Sequence, residues 1–133
     1  MTIFVDASAL IAIIAFEADG LALAQVLSSD RDLCTSALAA WEATAGLARS
    51  KKLTPSEAHR QVNLFIHEAA IRMIAIGQPE FELAAEAYAR FGKGRHPAAL
   101  NIGDCFAYAC ARSNKAKLLF KGDDFGKTDI VAA

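Results

Sequence analysis

Three carboxylates stand alone in apolar stretches of the sequence. Asp6 is the only charged residue in MTIFVDASALIAIIAF, and Asp104 is the only one in LNIGDCFAYACA. Glu42 is the only charged residue between positions 36 and 49. Burying an unpaired carboxylate costs free energy or forces the group to take up a proton. Each of these residues therefore needs a structural or a chemical role.

Structural roles are available for most of the acids. Asp6 can cap the helix that follows it, which is worth about 1 kcal/mol. Asp104 can sit in the first turn of a helix capped by Asn101, where the helix dipole favours a negative charge. Asp123 and Asp124 can belong to a turn, because KGDDFGKTD is rich in turn-forming residues. Taken one at a time, these acids do not require a functional site.

Glu42 has no capping role, because it falls inside an Ala/Trp/Leu-rich helix. The acids taken together also differ from ordinary caps, since caps need no apolar surroundings. A cluster of carboxylates repels itself unless a cation neutralises it, and oxygen ligands suit Mg²⁺ or Mn²⁺. Such an ion lowers the pKa of a bound water, which can then attack a phosphodiester. The acids therefore predict a metal-dependent hydrolytic site.

Other catalytic arrangements are missing from the sequence. The three histidines share no motif, and the chain has no Ser/His/Asp or Cys/His arrangement. There is no glycine loop of the P-loop or dinucleotide-binding kind. The three cysteines form no CxxC pair and stand in apolar runs, which predicts buried free thiols in a reducing compartment and argues against zinc.

Composition predicts one domain over residues 1–133. The chain is 54% hydrophobic and 22% charged, as in globular proteins, and its net charge of −1 does not by itself indicate nucleic-acid binding. The N-terminus lacks the basic region of a signal peptide, and the apolar run 7–16 is too short to span a bilayer. These features predict a cytoplasmic protein without a membrane partner.

Strands and helices that alternate along the chain must position the acids. Because sites in open α/β sheets form beyond the carboxyl ends of the strands, acids at those ends can converge. Asp6 ends the first strand, Asp123 and Asp124 follow the last one, and Asp104 and Glu42 fall in the first two turns of their helices. The predicted strands are Thr2 to Val5, DLCTS, Ile71 to Ile76 and Leu118 to Phe120. The predicted helices are Ala7 to about Phe16, Leu21 to Ser28, Ala37 to about Ser50, Pro55 to about Ala70, Gln78 to about Phe91 and Ile102 to Ser113.

Four motifs carry a family resemblance. VDASAL, the WEA that follows TSALAA, LNIGDCFAYACA and LLFKGDDFGKTDI resemble, in this order, the motifs of PIN-domain ribonucleases. More narrowly, they resemble those of VapC-type toxins from type II toxin–antitoxin pairs. The resemblance implies an α/β fold, a PIN-like three-layer sandwich with a central parallel sheet of four to five strands flanked by helices. It also implies a Mg²⁺-dependent endoribonuclease, with Mn²⁺ as a substitute, whose partners are RNA, a cognate VapB-type antitoxin, and further copies in a homodimer and a higher toxin–antitoxin assembly.

The resemblance assigns the four acids of the family to positions in this sequence. The first corresponds to Asp6, the second to Glu42 and the third to Asp104. The fourth falls in GDDF, where Asp124 is the preferred position and Asp123 the reserve. Asp6 and Asp104 are expected to hold the metal most directly. Glu42 and Asp124 are expected to complete the negative pocket, to act through metal-bound waters, or to hold a second ion.

Other residues receive supporting roles. Ser8 and Thr128 resemble the small hydroxyl residues that support the metal site in this family. Arg49, Lys51 and Lys52 are interpreted as an ordinary basic helix end, which the helix dipole favours. A second basic group near the predicted rim is expected either to bind RNA phosphates without reading sequence or to form a solvated loop. It comprises Lys93, Arg95, His96 and Lys121.

Three alternatives stand beside this interpretation. A PIN-like RNA-binding or regulatory module without catalysis would be expected to have lost one of the acids, and none is missing. An RNA-processing PIN nuclease that is not a toxin would share the same residues. A phosphate-transfer enzyme with Asp6 as nucleophile would need an acid where Ser8 stands.

Overall fold

Helices and strands alternate along the chain, as the sequence predicts. The structure is a computed structural model that describes residues 1–29 and 32–133. In chain order its elements are β1 Thr2–Val5, α1 Ala7–Ile14, α2 Gly20–Ser28, β2 Asp32–Ser36, α3 Ala37–Ser50, α4 Pro55–Glu68, β3 Arg72–Ile74, α5 Gln78–Phe91, α6 Ile102–Ser113 and β4 Lys117–Leu119, followed by a short 3-10 helix Phe125–Lys127.

The strands form one parallel sheet in the order β3-β2-β1-β4. β1 lies inside the sheet, and its residues Phe4 and Val5 are fully buried. The predicted parallel sheet flanked by helices is therefore confirmed. β3 covers only part of the predicted strand Ile71 to Ile76, because it is an edge strand with one pairing partner and exposed side chains at Arg72 and Met73.

Polar side chains fix the start of several helices. The hydroxyl of Ser36 accepts a hydrogen bond from the Ala39 N–H at 3.1 Å and so begins α3 directly after β2. Thr54 and Glu57 form a capping box at the start of α4, with hydrogen bonds of 3.0 and 3.1 Å. These short links leave little freedom in how each helix leaves the sheet.

The core combines the inner strands with the alanine-rich faces of the helices. Tyr108 of α6 is the largest of its fully buried side chains. Cys34, Cys105 and Cys110 are buried free thiols, as predicted. In the described part of the chain, no helix has the length and hydropathy that crossing a bilayer requires.

Candidate active site

Asp6 lies at the carboxyl end of the inner strand β1. Its backbone N–H donates to the Leu119 carbonyl at 3.0 Å, which extends the pairing with β4. Its carboxylate caps α1, accepting hydrogen bonds from the Ser8 N–H at 3.1 Å and the Ser8 hydroxyl at 2.5 Å. The residue is only 5% exposed. Burial raises the pKa of Asp6, although the hydrogen bonds from Ser8 oppose the shift.

Glu42 projects from α3 towards the first turn of α6. Its carboxylate lies so close to Gly103 that a Cβ atom at position 103 would overlap it. Glu42 is half-buried, and burial together with the charges of Asp6 and Asp104 raises its pKa to about 7. The carboxylate is therefore held beside like charges, a costly arrangement that a cation would relieve.

Asp104 lies in the first turn of α6 and combines two roles. It forms a capping box with Asn101: its N–H donates to the Asn101 side chain at 2.9 Å, and its carboxylate accepts from the Asn101 N–H at 3.1 Å. Burial and the charges of Asp6 and Asp124 raise the pKa of Asp104 to about 6, against the lowering effect of the Asn101 hydrogen bond. Asp104 is therefore part of a helix cap, and it also lies close enough to Asp6 and Asp124 to feel their charges.

These three acids line one cavity, which we call the carboxylate cavity. It has a volume of about 330 Å³ and opens where α1 and α6 begin, against one side of α3. Carboxylate oxygens that repel one another suit a hard divalent cation, so the donor set fits a metal ion. Among the described residues, no three His, Cys, Asp or Glu side chains form a ready-made metal-binding group.

The remaining acids lie in the turn after β4. Asp124 is exposed and directly precedes the 3-10 helix, and its negative charge reaches Asp104, whose pKa it raises. Asp123 is exposed in the same turn. Thr128 is used within this segment, because its hydroxyl donates to the Phe125 carbonyl at 2.7 Å and accepts from the Ile130 N–H at 3.2 Å. Thr128 is not part of the carboxylate cavity wall.

Ser8 and Lys121 link the end of β4 to the cavity. The Ser8 hydroxyl, which donates to Asp6, also accepts from the Lys121 backbone N–H at 3.0 Å. The Lys121 ammonium donates to Glu17 at 2.7 Å and lies 3.7 Å from Asp19. Lys121 is therefore engaged in surface ion pairs, which are worth little and can be exchanged for other anions.

The other predicted basic residues belong to the loop between α5 and α6. The guanidinium of Arg95 lies over the Tyr88 ring, 5.0 Å from its centroid. The His96 ring meets Phe91 edge-on at 5.2 Å and accepts from the Ala98 N–H at 3.0 Å, so it orders the loop. Lys93 is exposed in the wall of a neighbouring groove between α5 and α6. None of these three side chains lines the carboxylate cavity.

Arg49 and Trp41, to which the sequence assigned no site role, also line the carboxylate cavity. Arg49, interpreted from the sequence as an ordinary basic helix end, lies on the same side of α3 as Glu42. Trp41 stands beside Glu42 on the rim. Seven residues, about two helical turns, separate Glu42 from Arg49. This spacing indicates from the sequence that both side chains lie on the same side of α3.

Comparisons with known proteins identify the family and the fold. The family model described as "PIN domain" matches residues 3–131. A relative named "Ribonuclease VapC" from Mycolicibacterium smegmatis is 38% identical and aligns over 96% of this chain and 97% of its own. The crystal structure of VapC20 from Mycobacterium tuberculosis, described as a sarcin-ricin loop cleaving toxin, matches with a TM-score of 0.77 at 19% identity, covering 98% of each chain. VapBC2 from Rickettsia felis, bound to a DNA fragment from its promoter, matches with a TM-score of 0.75 at 13% identity, covering 100% of this chain and 98% of that one.

Proposed function

The chain belongs to the PIN-domain family and to its VapC ribonucleases, and on that premise we propose that it is the toxin of a type II toxin–antitoxin pair. Its activity is metal-dependent endonucleolytic cleavage of RNA phosphodiester bonds. The observation that carries the proposal is the meeting of Asp6, Glu42 and Asp104 in one cavity, with the pKa of each carboxyl raised. A cluster with such a cost to stability is characteristic of a site kept for chemistry.

Ribonucleases of the PIN-domain family generally depend on a divalent metal ion, and we propose Mg²⁺ here, with Mn²⁺ as a substitute. When bound, the ion supplies an activated water and offsets the negative charge that develops on the phosphate. Asp6 and Asp104 would hold it most directly. Ser8 fixes the carboxylate of Asp6, and Asn101 fixes that of Asp104, so both oxygens are oriented before the ion arrives.

Glu42 and Asp124 would complete the negative pocket. Glu42 has a pKa of about 7, so in the metal-free protein it can hold a proton at neutral pH and releases it when a cation enters. Asp124 approaches from the exposed turn after β4. We assign it as the fourth acid in preference to Asp123, because its charge acts on Asp104. Lys93, Arg95, His96 and Lys121 are retained as candidate contacts for RNA phosphates outside the cavity.

The partner we propose is a VapB-type antitoxin. Two separate apolar surfaces support an assembly of several chains. One is a groove of about 380 Å³ between α1 and α4, bordered by Phe16 and Leu64, and the other is a groove of about 490 Å³ between α5 and α6, bordered by Phe81 and Tyr88. Exposed apolar surface of this kind marks interaction sites. A homodimer that also binds antitoxin needs two such surfaces. The protein would act in the cytoplasm, where its three free thiols stay reduced.

Cleavage assays test the proposal. The purified protein, freed of any antitoxin, should cut RNA in Mg²⁺ or Mn²⁺ and stop in EDTA. Asp6→Asn and Asp104→Asn should lower the rate by at least about 100-fold, because even residues that only support metal ligands contribute about 10- to 100-fold. Comparison of Asp123→Asn with Asp124→Asn decides the fourth acid. Cleavage that persists in EDTA with the Asp104→Asn protein would contradict the proposal.

A further inference from the structure

Trp41 is an unusual surface residue. It is the only tryptophan of the chain, it is 68% exposed, and it directly precedes Glu42 on α3. It borders the carboxylate cavity on one side and a groove of about 580 Å³ between α3 and α4 on the other. A large aromatic ring left in water between a candidate catalytic cavity and an open groove calls for a ligand with a flat apolar face.

Arg49 stands further along the same side of α3. Two small residues, Ala45 and Gly46, line the cavity between Glu42 and Arg49. No large side chain of α3 therefore separates the carboxylate from the guanidinium. Arg49 is exposed, and it forms no ion pair with any carboxylate of residues 1–29 or 32–133. A guanidinium beside a group of acids, yet paired with none of them, is available to bind a phosphate.

The groove beyond Trp41 can continue the path of a polymer. Its walls combine apolar surface from Met73 and Pro55 with the polar side chains of Ser56, His59 and Asn63. A single strand of RNA presents the same mixture of flat bases, hydroxyls and phosphates, and proteins bind it by stacking bases on aromatic side chains beside cationic groups. A base inside a duplex is stacked on its neighbours and cannot offer its face to an indole.

We propose that Trp41 and Arg49 position the substrate: the Trp41 indole stacks on an unpaired base next to the scissile phosphate, and Arg49 binds a backbone phosphate. The bound strand then leaves the carboxylate cavity through the groove between α3 and α4. This inference rests on the proposed ribonuclease function. Neither residue acts on the reacting atoms, so both are positioning residues.

The first test is direct binding. Asp104→Asn removes a proposed metal ligand and one negative charge, so this protein should bind RNA without cutting it. Because Trp41 is the only tryptophan, its fluorescence reports on stacking. We expect strong quenching by a single-stranded oligoribonucleotide and little by the same sequence in a duplex. Equal responses to the two, or none, would overturn the inference.

The second test separates this inference from the proposed function. Once wild type is shown to cleave a loop-containing RNA, Trp41→Ala should raise KM by about 10-fold, the value of one stacked base, with kcat nearly unchanged. Trp41→Phe should recover most of the loss. Arg49→Ala should weaken binding and reduce the salt dependence of log Kd by about one phosphate contact, and Arg49→Lys should restore that salt dependence.

A control is Leu21→Ala, which removes another exposed apolar side chain, on α2 and outside both the cavity and the groove. It should leave KM unchanged. If wild type cleaves RNA but Trp41→Ala and Leu21→Ala have the same KM, the positioning role is wrong while the ribonuclease function stands. If wild type does not cleave any RNA, the function itself fails, and only the fluorescence result bears on Trp41.

Discussion

Two acids show how the surroundings of a carboxyl group decide its role. Glu80 is buried, with 9% exposure, and hydrogen bonds from the Ser113 side chain and from the Gly77 N–H, the latter at 2.8 Å, lower its pKa. Glu42 is half-buried, and burial and two neighbouring negative charges raise its pKa to about 7. Glu80 thus stabilises the fold as an anion, whereas ionised Glu42 destabilises it.

This contrast predicts a pH dependence for the metal-free protein. Folded Glu42 keeps its proton up to about pH 7, whereas the unfolded chain loses it near the ordinary value of 4.5. Between these values the folded state binds more protons, so the free energy of unfolding should fall as pH rises. Glu42→Gln should flatten this decline and be at least as stable as wild type at pH 8. Urea unfolding in EDTA at pH 5 and pH 8 measures it.

Glu80→Gln is the opposing control for that experiment. Because the pKa of Glu80 is lowered, its contribution is present at neutral pH and is lost as pH falls. The variant should be less stable than wild type at pH 8, by about 0.5–2 kcal/mol for a weakened cap. Mg²⁺ should stabilise wild type and Glu80→Gln alike, and Glu42→Gln less. A Glu42→Gln protein that is less stable than wild type at pH 8 would show that Glu42 is not held under repulsion.

At the scale of elements, the cavity depends on how closely α3 approaches α6. Gly103 makes that approach available, because it leaves room for the Glu42 carboxylate against the first turn of α6. Its neighbour Asp104 is held by the capping box with Asn101. The first turn of α6 therefore holds Asp104 through the cap, and it leaves room for Glu42 because Gly103 has no side chain.

Gly103→Ala should displace Glu42 and impair cleavage. The added methyl would overlap the carboxylate itself, so the side chain must rotate out of the cavity. We expect a fold that is retained, with the cleavage rate lowered by about 10- to 100-fold, as for lost support of a metal site. Cleavage rate and circular dichroism of the purified variant measure the two effects.

Gly126→Ala provides the matched control, because a Cβ at that position meets nothing within 4 Å. It lies in the 3-10 helix after Asp124, close in sequence to the site but in open space. Its cleavage rate should equal that of wild type. If Gly103→Ala also cleaves at the wild-type rate, the contact between Glu42 and α6 has no part in catalysis.

At the scale of the whole molecule, the sites proposed for activity and for assembly lie on different surfaces. The carboxylate cavity opens where α1 and α6 begin, whereas the apolar groove bordered by Phe16 and Leu64 lies between α1 and α4. Phe16 is 93% exposed, which makes that groove a costly surface to leave uncovered. A partner can therefore cover this groove without occupying the carboxylate cavity.

The proposed toxin function predicts that expression of the protein arrests the growth of a bacterium that lacks the cognate antitoxin. Asp6→Ala should relieve the arrest, because it removes the most deeply buried acid of the cavity. Growth curves with quantified protein levels provide the measurement. If the wild-type and Asp6→Ala proteins accumulate equally and the two strains grow alike, the toxin function is contradicted.

The sequence by itself determined the order and type of the elements. Strands rich in β-branched residues alternate with alanine-rich helices, and residues such as Ser36 and Thr54 cap helices. These signals are local in sequence, so they can be recognised without knowledge of the fold. Isolated acids in apolar stretches and the family motifs were equally readable. The assignment of Asp6, Glu42, Asp104 and Asp124 to a metal site remains a prediction, which the geometry supports and the variants above test.

Only the tertiary structure decided which side chains share a surface. Packing of α3 against α6 sets Glu42 over Gly103 and brings Arg49 and Trp41 to the same cavity, although the sequence marks Arg49 as an ordinary helix end. The approach of the turn after β4 to the segment after α1 likewise places Lys121 in ion pairs with Glu17 and Asp19. These outcomes depend on contacts between residues far apart in the chain, and local propensity and spacing carry no record of such contacts.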